Sequence, residues 1–304
     1  MGESKLLTAL KRLTPIRLLR GVGERMIRLS DWLQYRYKKS RLLKKGGDRD
    51  LYQTASNMLF WLNTSGYVDK CILERGIFEP ASTQIVKQYV KKGDVVLDVG
   101  ANIGYYTVML SKLVGNEGRV IAFEPTRHFG NVLKANIEAN QLTNISIIDY
   151  GLSNRNCDVD IDIGRSSATI HSSNYFDPII NHERISMKTL DNFVSEYNIS
   201  RIDFIKIDVD GHEPYVFDGA WAVLEMFDPL ILFEVSHLHY MKAGINVCEF
   251  YKKLKEEGYR IYYEQDLEEI TELDTFLIKC CNFERGSNIL ICKKNLVDLH
   301  RATV

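Results

Sequence analysis

The 304 residues carry 39 Lys and Arg against 40 Asp and Glu, a net charge of −1, with 45% hydrophobic and 26% charged residues. This is an ordinary globular balance, enough for one substantial α/β domain plus an extension, with no long low-complexity tract and no internal repeat. No apolar run reaches the roughly 18 residues of a membrane span, and the start has no signal-peptide pattern, so a cytoplasmic protein is expected. Six cysteines (Cys71, Cys157, Cys248, Cys280, Cys281, Cys292) are scattered without CxxC spacing. They read as reduced, mostly buried thiols.

The charge is uneven. Residues 1–45 hold 13 Lys and Arg against 3 Asp and Glu, a net of +10, which leaves −11 on the remainder. Residues 1–50 therefore read as a basic amphipathic helical extension, interrupted at Gly21 and Gly23 and ended by Gly46-Gly47. Such helices pack on their own domain, lie peripherally on an anionic membrane or bind a protein partner. No aromatic-and-basic interleaving supports nucleic-acid binding.

Residues 51–93 read as a helical lead-in of one or two helices and a bend at Arg75-Gly-Ile-Phe-Glu-Pro80. A helix follows from about Ser82, its expected N-cap, to Val90, stopped by Lys91-Lys92-Gly93. From Asp94 to about residue 294 strands and helices alternate, the pattern of a parallel sheet with right-handed crossovers. Val95–Val99, Arg119–Glu124, Ile145–Tyr150, Asp203–Val209, Leu230–Val235, Tyr259–Tyr263 and Ser287–Cys292 read as strands. Helices are expected over about 105–113, 127–140, 214–227 and 247–257. An insert at about 152–186, with period two over Cys157–Ile163, predicts a hairpin or small antiparallel lobe. Residues 295–304 form a tail.

The chemistry gathers at the carboxyl ends of the strands. The first strand breaks into Gly100-Ala-Asn-Ile-Gly104 and resumes as a helix, a turn that lets a ligand approach the backbone. Glu124, at the end of the next strand, is placed to accept ribose hydroxyls. The glycines are spaced GxxxG, not GxGxxG, and Asp98 stands beside them. An acid there repels a pyrophosphate and suits a cationic amino acid head group, which favours S-adenosylmethionine over NAD. Lys206-Ile-Asp-Val-Asp-Gly-His-Glu-Pro214 brings Asp208, Asp210, His212 and Glu213 to the same rim. His212 has the unperturbed pKa of a general base at neutral pH, and Asp208 could orient it, take the proton itself or steady the cofactor. Glu234 ends the next strand as a hydrogen-bond acceptor for substrate hydroxyls. His237 and His239 complete Glu-x-x-His-x-His, but with no defined geometry after a strand they read as a solvated loop, and no metal is expected.

These residues resemble the FkbM-type methyltransferases. The resemblance rests on Asp98-Val-Gly-Ala-Asn-Ile-Gly-Tyr-Tyr-Thr107, Ala122-Phe-Glu-Pro125, Thr189-Leu-Asp191, Phe204–Glu213 and Pro229–Glu234, in that order, with Gly76-Ile-Phe-Glu79 upstream. It spans roughly Gly76 to Lys293. It implies a class I, Rossmann-like α/β fold: a seven-stranded, mostly parallel sheet with helices on both faces and an antiparallel last strand. It also implies S-adenosylmethionine-dependent O-methylation, often of sugar hydroxyls in glycans. Carried onto this chain, Asp98, Gly100, Asn102 and Gly104 would hold the methionine part, Glu124 the ribose, and Tyr150 and Gly151 would flank the adenine. Asp208 and His212 would face the transferred methyl, with Glu79, Asp210, Glu213 and Glu234 toward the acceptor. Asp210 stands where the family has Glu, and Gly151 where it has Ala. The rival readings are an NAD-dependent oxidoreductase and a catalytically inactive scaffold of the same fold.

Overall fold

A computed structural model describes residues 40–171, 178–281 and 286–296. The chain opens with β1 (Arg41–Lys44), β2 (Asp50–Gln53) and β3 (Leu59–Leu62), then α1 (Tyr67–Arg75) and α2 (Pro80–Tyr89). The first alternating units are β4 (Val95–Val99), α3 (Tyr105–Val114), β5 (Arg119–Phe123), α4 (Arg127–Ala139) and β6 (Ile145–Ile148). Four strands interrupt them: β7 (Gly151–Leu152), β8 (Cys157–Ile163), β9 (Ala168–Thr169) and β10 (Asn181–Lys188). The alternation resumes with α5 (Leu190–Tyr197), β11 (Phe204–Ile207), α6 (Glu213–Asp218), α7 (Trp221–Phe227), β12 (Leu230–Val235), α8 (His237–Lys242) and α9 (Val247–Glu256). It closes with β13 (Arg260–Tyr263), β14 (Glu269–Ile270), α10 (Leu273–Cys280) and β15 (Ser287–Cys292).

The main sheet has the order β14-β13-β15-β12-β11-β4-β5-β6. The expected seven strands are all present, and the two-residue β14 adds an eighth at the edge. Neighbours from β6 to β12 run parallel, while β15 is antiparallel to both β12 and β13. The chain leaves β4 toward β5 and β6, then crosses back to lay β11 on the other side of β4. Strand order reverses between β4 and β11, and the carboxyl ends of strands at such a point are where open α/β sheets bind ligands. Val96, Leu97 and Val99 of β4 and Phe204, Ile205 and Ile207 of β11 are buried, as strands covered on both faces require. The register sets Lys206 against Asp98, a buried charged pair within this apolar centre.

Several local expectations are corrected. Residues 41–44, 50–53 and 59–62 form a three-stranded antiparallel sheet, not helices. Phe60 and Leu62 alternate inward with Trp61 half-buried, and remote side chains satisfy the strand's backbone. Asn136 and Asn140, on and just after α4, accept from Trp61 N at 2.7 Å and Leu59 N at 3.0 Å. Helix α2 begins at Pro80, whose missing N–H costs nothing in the first turn. Ser82 lies inside it and donates to Glu264. The helix expected over 214–227 is broken in two at Gly219, where a Cβ would stand 2.0 Å from the Ser153 carbonyl oxygen. Residues 151–188 carry a second sheet of order β7-β10-β8-β9, with β8 and β10 antiparallel and β7 and β10 parallel. His237 and His239 sit on α8, not in a loop. The basic segment up to residue 39 and residues 297–304 lie outside the described residues. No helix among the described residues is long and apolar enough to cross a membrane.

Candidate active site

The turn between β4 and α3 is built by backbone that only special residues tolerate. Gly100 and Gly104 have φ of +83° and +88°, and Asn102 between them has +53°. The amides of Gly100 and Ala101 donate to the Phe123 carbonyl, which ties the turn to the end of β5. Glu124 completes the tie. One of its oxygens accepts from Asn102 N at 2.8 Å, the other from Thr126 N and Oγ1 at 2.9 and 2.6 Å. The Asn102 side chain donates to the Ser166 carbonyl, so the insert closes over the turn. Beside Glu124 runs a narrow slot walled by Pro125, Leu152, Ile170 and Met187, with Gly151 and His212 on it. Tyr150 is not at the slot. Its ring packs with Phe123 and Phe193 in the core, so only its backbone can reach toward a base there.

Gly100, Asn102, Asp208 and Asp210 line both this slot and a larger cleft of about 830 Å³. Lys206, wholly buried, anchors the cleft wall. Its Nζ lies 3.2 Å from Asp208 Oδ2, 3.1 Å from Asn288 Oδ1 and 3.9 Å from Glu79 Oε2, over the Tyr106 ring. Glu79 in turn accepts from Tyr106 OH at 2.7 Å and Asn288 Nδ2 at 2.9 Å. Burial pulls the Lys206 ammonium down, but Asp208, Glu79 and Glu234 outweigh it and hold the lysine firmly charged. Three of the eight non-glycine residues with positive φ among the described residues, Glu79, Asn102 and Asp210, line this one cleft. Strain gathered at one place is a mark of a functional site.

Residues 98–283, more than half of the chain, match the family model described as the methyltransferase FkbM domain. The chain belongs to the FkbM methyltransferase family. Its relatives include the hexuronic acid methyltransferase AglP of Haloferax volcanii, 26% identical over 175 residues, which are 57% of this chain and 66% of that one. The chain thus spans just under two thirds of AglP's length. Among solved structures, the FkbM methyltransferase of Methylobacillus flagellatus aligns at 15% identity and a TM-score of 0.44, covering 66% of this chain and 43% of that one. An O-methyltransferase of Bacillus cereus with bound SAH aligns at 14% and 0.43, covering 72% and 83%.

S-adenosylmethionine is the cofactor of this family, and the FkbM site here fits it. The slot is apolar enough for a base and has Glu124 at its side. Gly100, where a Cβ would meet the Asp208 carbonyl, leaves backbone open at the junction with the cleft. Asp98 lies behind that junction, 2% exposed, accepting from Thr107 Oγ1. Burial raises its carboxyl to about 6, against the lowering pull of Thr107 and Lys206. The raised value means that the folded state retains this proton longer than the unfolded chain. Ionising Asp98 therefore costs the unliganded protein stability as pH rises from 3.8 toward about 6. A cofactor ammonium held beside it would offset that cost. We expect S-adenosylmethionine affinity, read by calorimetry, to fall as pH is lowered through about 6. Asp98→Asn should bind weakly at every pH, and an unchanged pH profile in that variant would refute the assignment.

His212 departs from a free general base. Its Nε2 is 2.9 Å from Ser153 Oγ and its Nδ1 3.1 Å from His171 Nε2, and it stacks on Tyr215. Burial, with His171 adding to it, lowers its pKa to about 3, so the ring is neutral with both nitrogens engaged. Glu213, expected to contact the acceptor, is fully buried. One of its oxygens accepts from Val209 N at 2.9 Å and Gly211 N at 3.3 Å, fixing the turn after β11. Glu79, Asp210 and Glu234 do line the cleft, with Asp208. Lys206, Tyr106, Asn288, Ser153 and His171 were missed. A lysine inside the apolar run Phe204-Ile-Lys-Ile207 was the available signal for the first. The other four gave none, because their roles depend on partners at least 27 residues away.

Proposed function

We propose that this chain transfers a methyl group from S-adenosylmethionine to a hydroxyl of a sugar-bearing acceptor seated in the cleft, with Asp208 as the base. The reading rests on the position of Asp208, which lines both slot and cleft and is half-exposed at the end of β11. The cofactor, when bound, supplies an electrophilic methyl on a sulfonium. Asp208 takes the proton of the acceptor hydroxyl as its oxygen attacks, and Lys206, 3.2 Å from Oδ2, holds that carboxylate in place. His212 acts through Ser153 and His171 as a positioning residue at the slot wall. Glu79, Asp210, Glu234 and Asn288 offer the dense hydrogen-bond acceptors and donors that suit a polyol, and crowded carboxylates favour a neutral sugar over an anionic one. The archaeal relative, a hexuronic acid methyltransferase, supports the sugar class.

Calorimetry with S-adenosylmethionine and with NAD tests the donor. Labelled methyl transfer to a panel of hexoses and hexuronic acids tests the acceptor. Asp208→Asn should lower kcat by about 10²-fold or more while leaving S-adenosylmethionine affinity within about threefold. NAD binding in place of S-adenosylmethionine would overturn the donor. A near-normal rate in Asp208→Asn would remove it as the base, and binding with no turnover on any panel member would favour the scaffold.

A further inference from the structure

We propose that the carboxylate cluster at the ends of β11 and β12 binds a divalent cation of the Mg²⁺ or Mn²⁺ class, with Asp210, Glu234 and His239 as its protein ligands. One ligand atom from each of these three lies within 4.8 Å of the others, and the same holds for Asp208, Glu213 and Glu234. Glu234 belongs to both sets. Ligands on opposite sides of an oxygen-bound cation stand about 4–5 Å apart, so one ion fits among these atoms without rearrangement. Gly211 makes the approach possible. At φ +96°, a Cβ there would stand 2.5 Å from the Cβ of His239, so only glycine lets α8 close against the turn that carries Asp210.

A second observation points into the same place. Glu213 is 0% exposed, and while one oxygen holds the turn, the other is buried with no hydrogen-bond partner among the described residues. One Glu213 oxygen lies within 4.8 Å of an oxygen of Asp208 and one of Glu234. The Nδ1 of His239 is likewise buried and without a partner. Leaving such atoms unsatisfied is costly, the more so for a charged group. Four carboxylates converge here, and Lys206 is engaged with Asp208 and Glu79 on one side of them. Oxygens with a single imidazole nitrogen suit Mg²⁺ or Mn²⁺, whereas the thiolate and multiple-histidine sets of zinc are absent from the cluster.

Mn²⁺ titration of the full chain without cofactor or acceptor, with the free ion followed by electron paramagnetic resonance, tests the site. We expect one saturable site well below about 1 mM, weakened roughly tenfold or more in Glu234→Gln and in His239→Ala. The melting temperature of the native chain should rise with Mn²⁺, and those of the two variants should not. If Glu234→Gln does not fold, His239→Ala, on the rim of the cluster, decides the matter. No saturable binding up to about 1 mM, or undiminished binding in His239→Ala, would overturn the site in favour of a proton shared among the carboxylates. Mn²⁺ binding is read without methyl transfer, so its failure leaves the proposed function standing.

Discussion

Gly100→Ala should destabilise the protein by on the order of 3–5 kcal/mol and abolish measurable cofactor binding. Two separate costs add at this position. The residue has φ +83°, where a Cβ costs about 1–2 kcal/mol. The added atom would also stand 1.9 Å from the carbonyl oxygen of Asp208, which is backbone and held by its own amide's bond to Val99. Relief requires β4 and β11 to part at the point where slot and cleft meet. Other glycines separate the two costs. Gly93 has φ +86° but nothing within 4 Å of its Cβ, and Gly47 has neither the positive φ nor a neighbour. Urea denaturation should rank the alanine variants Gly47, Gly93, Gly100 in rising loss, about 0, 1–2 and 3–5 kcal/mol. If Gly100→Ala loses no more than Gly93→Ala, the close approach of the two strands is wrong.

Lys206→Met should cost about 3–5 kcal/mol, because it leaves buried carboxylates without their cation. Methionine matches the apolar length of lysine, so the loss is electrostatic, not a cavity. Lys206 is 0% exposed, bonded to Asp208 and Asn288 and in register with Asp98. Without it, Asp98 and Glu79, both already raised by burial, rise further and hold protons in the folded state. A folded pKa above the unfolded one lowers stability as pH rises, so the variant's deficit should shrink at about pH 5 and widen at about pH 8. Lys188 and Glu196 provide the contrast, a pair at 2.9 Å with 31% and 51% of their side chains exposed. Lys188→Met should cost far less than Lys206→Met, because an exposed pair is screened by solvent. Equal losses in the two lysine variants, or a deficit independent of pH, would refute the role given to Lys206.

The local pattern of residues 94–292 was enough to read the alternating strands and the cofactor turn, while the antiparallel direction of the closing strand came only from the family resemblance. Apolar β-branched runs, glycines at a strand's end and an acid ending the next strand act over a few residues, and short-range sterics make such signals visible in a linear chain. Strand β3 was misread, because its outer backbone partners are Asn136 and Asn140, more than 70 residues on. The broken helix at Gly219 was invisible for the same reason, since the chain that crosses it comes from Ser153.

For the site, residue types and strand ends pointed to Asp98, Gly100, Glu124, Asp208, Asp210 and Glu234 at one rim, and the family resemblance alone brought in Glu79. Only the folded chain decided protonation and access. His212 reads in the sequence as a base of ordinary pKa, yet Ser153 and His171 occupy both its nitrogens and burial keeps it neutral. Glu213 reads as a rim carboxylate and lies wholly buried. Covalent order determines which groups the fold can bring to the β4–β11 junction. Desolvation and partner choice, which depend on every element packed around that junction, determine what each group does there.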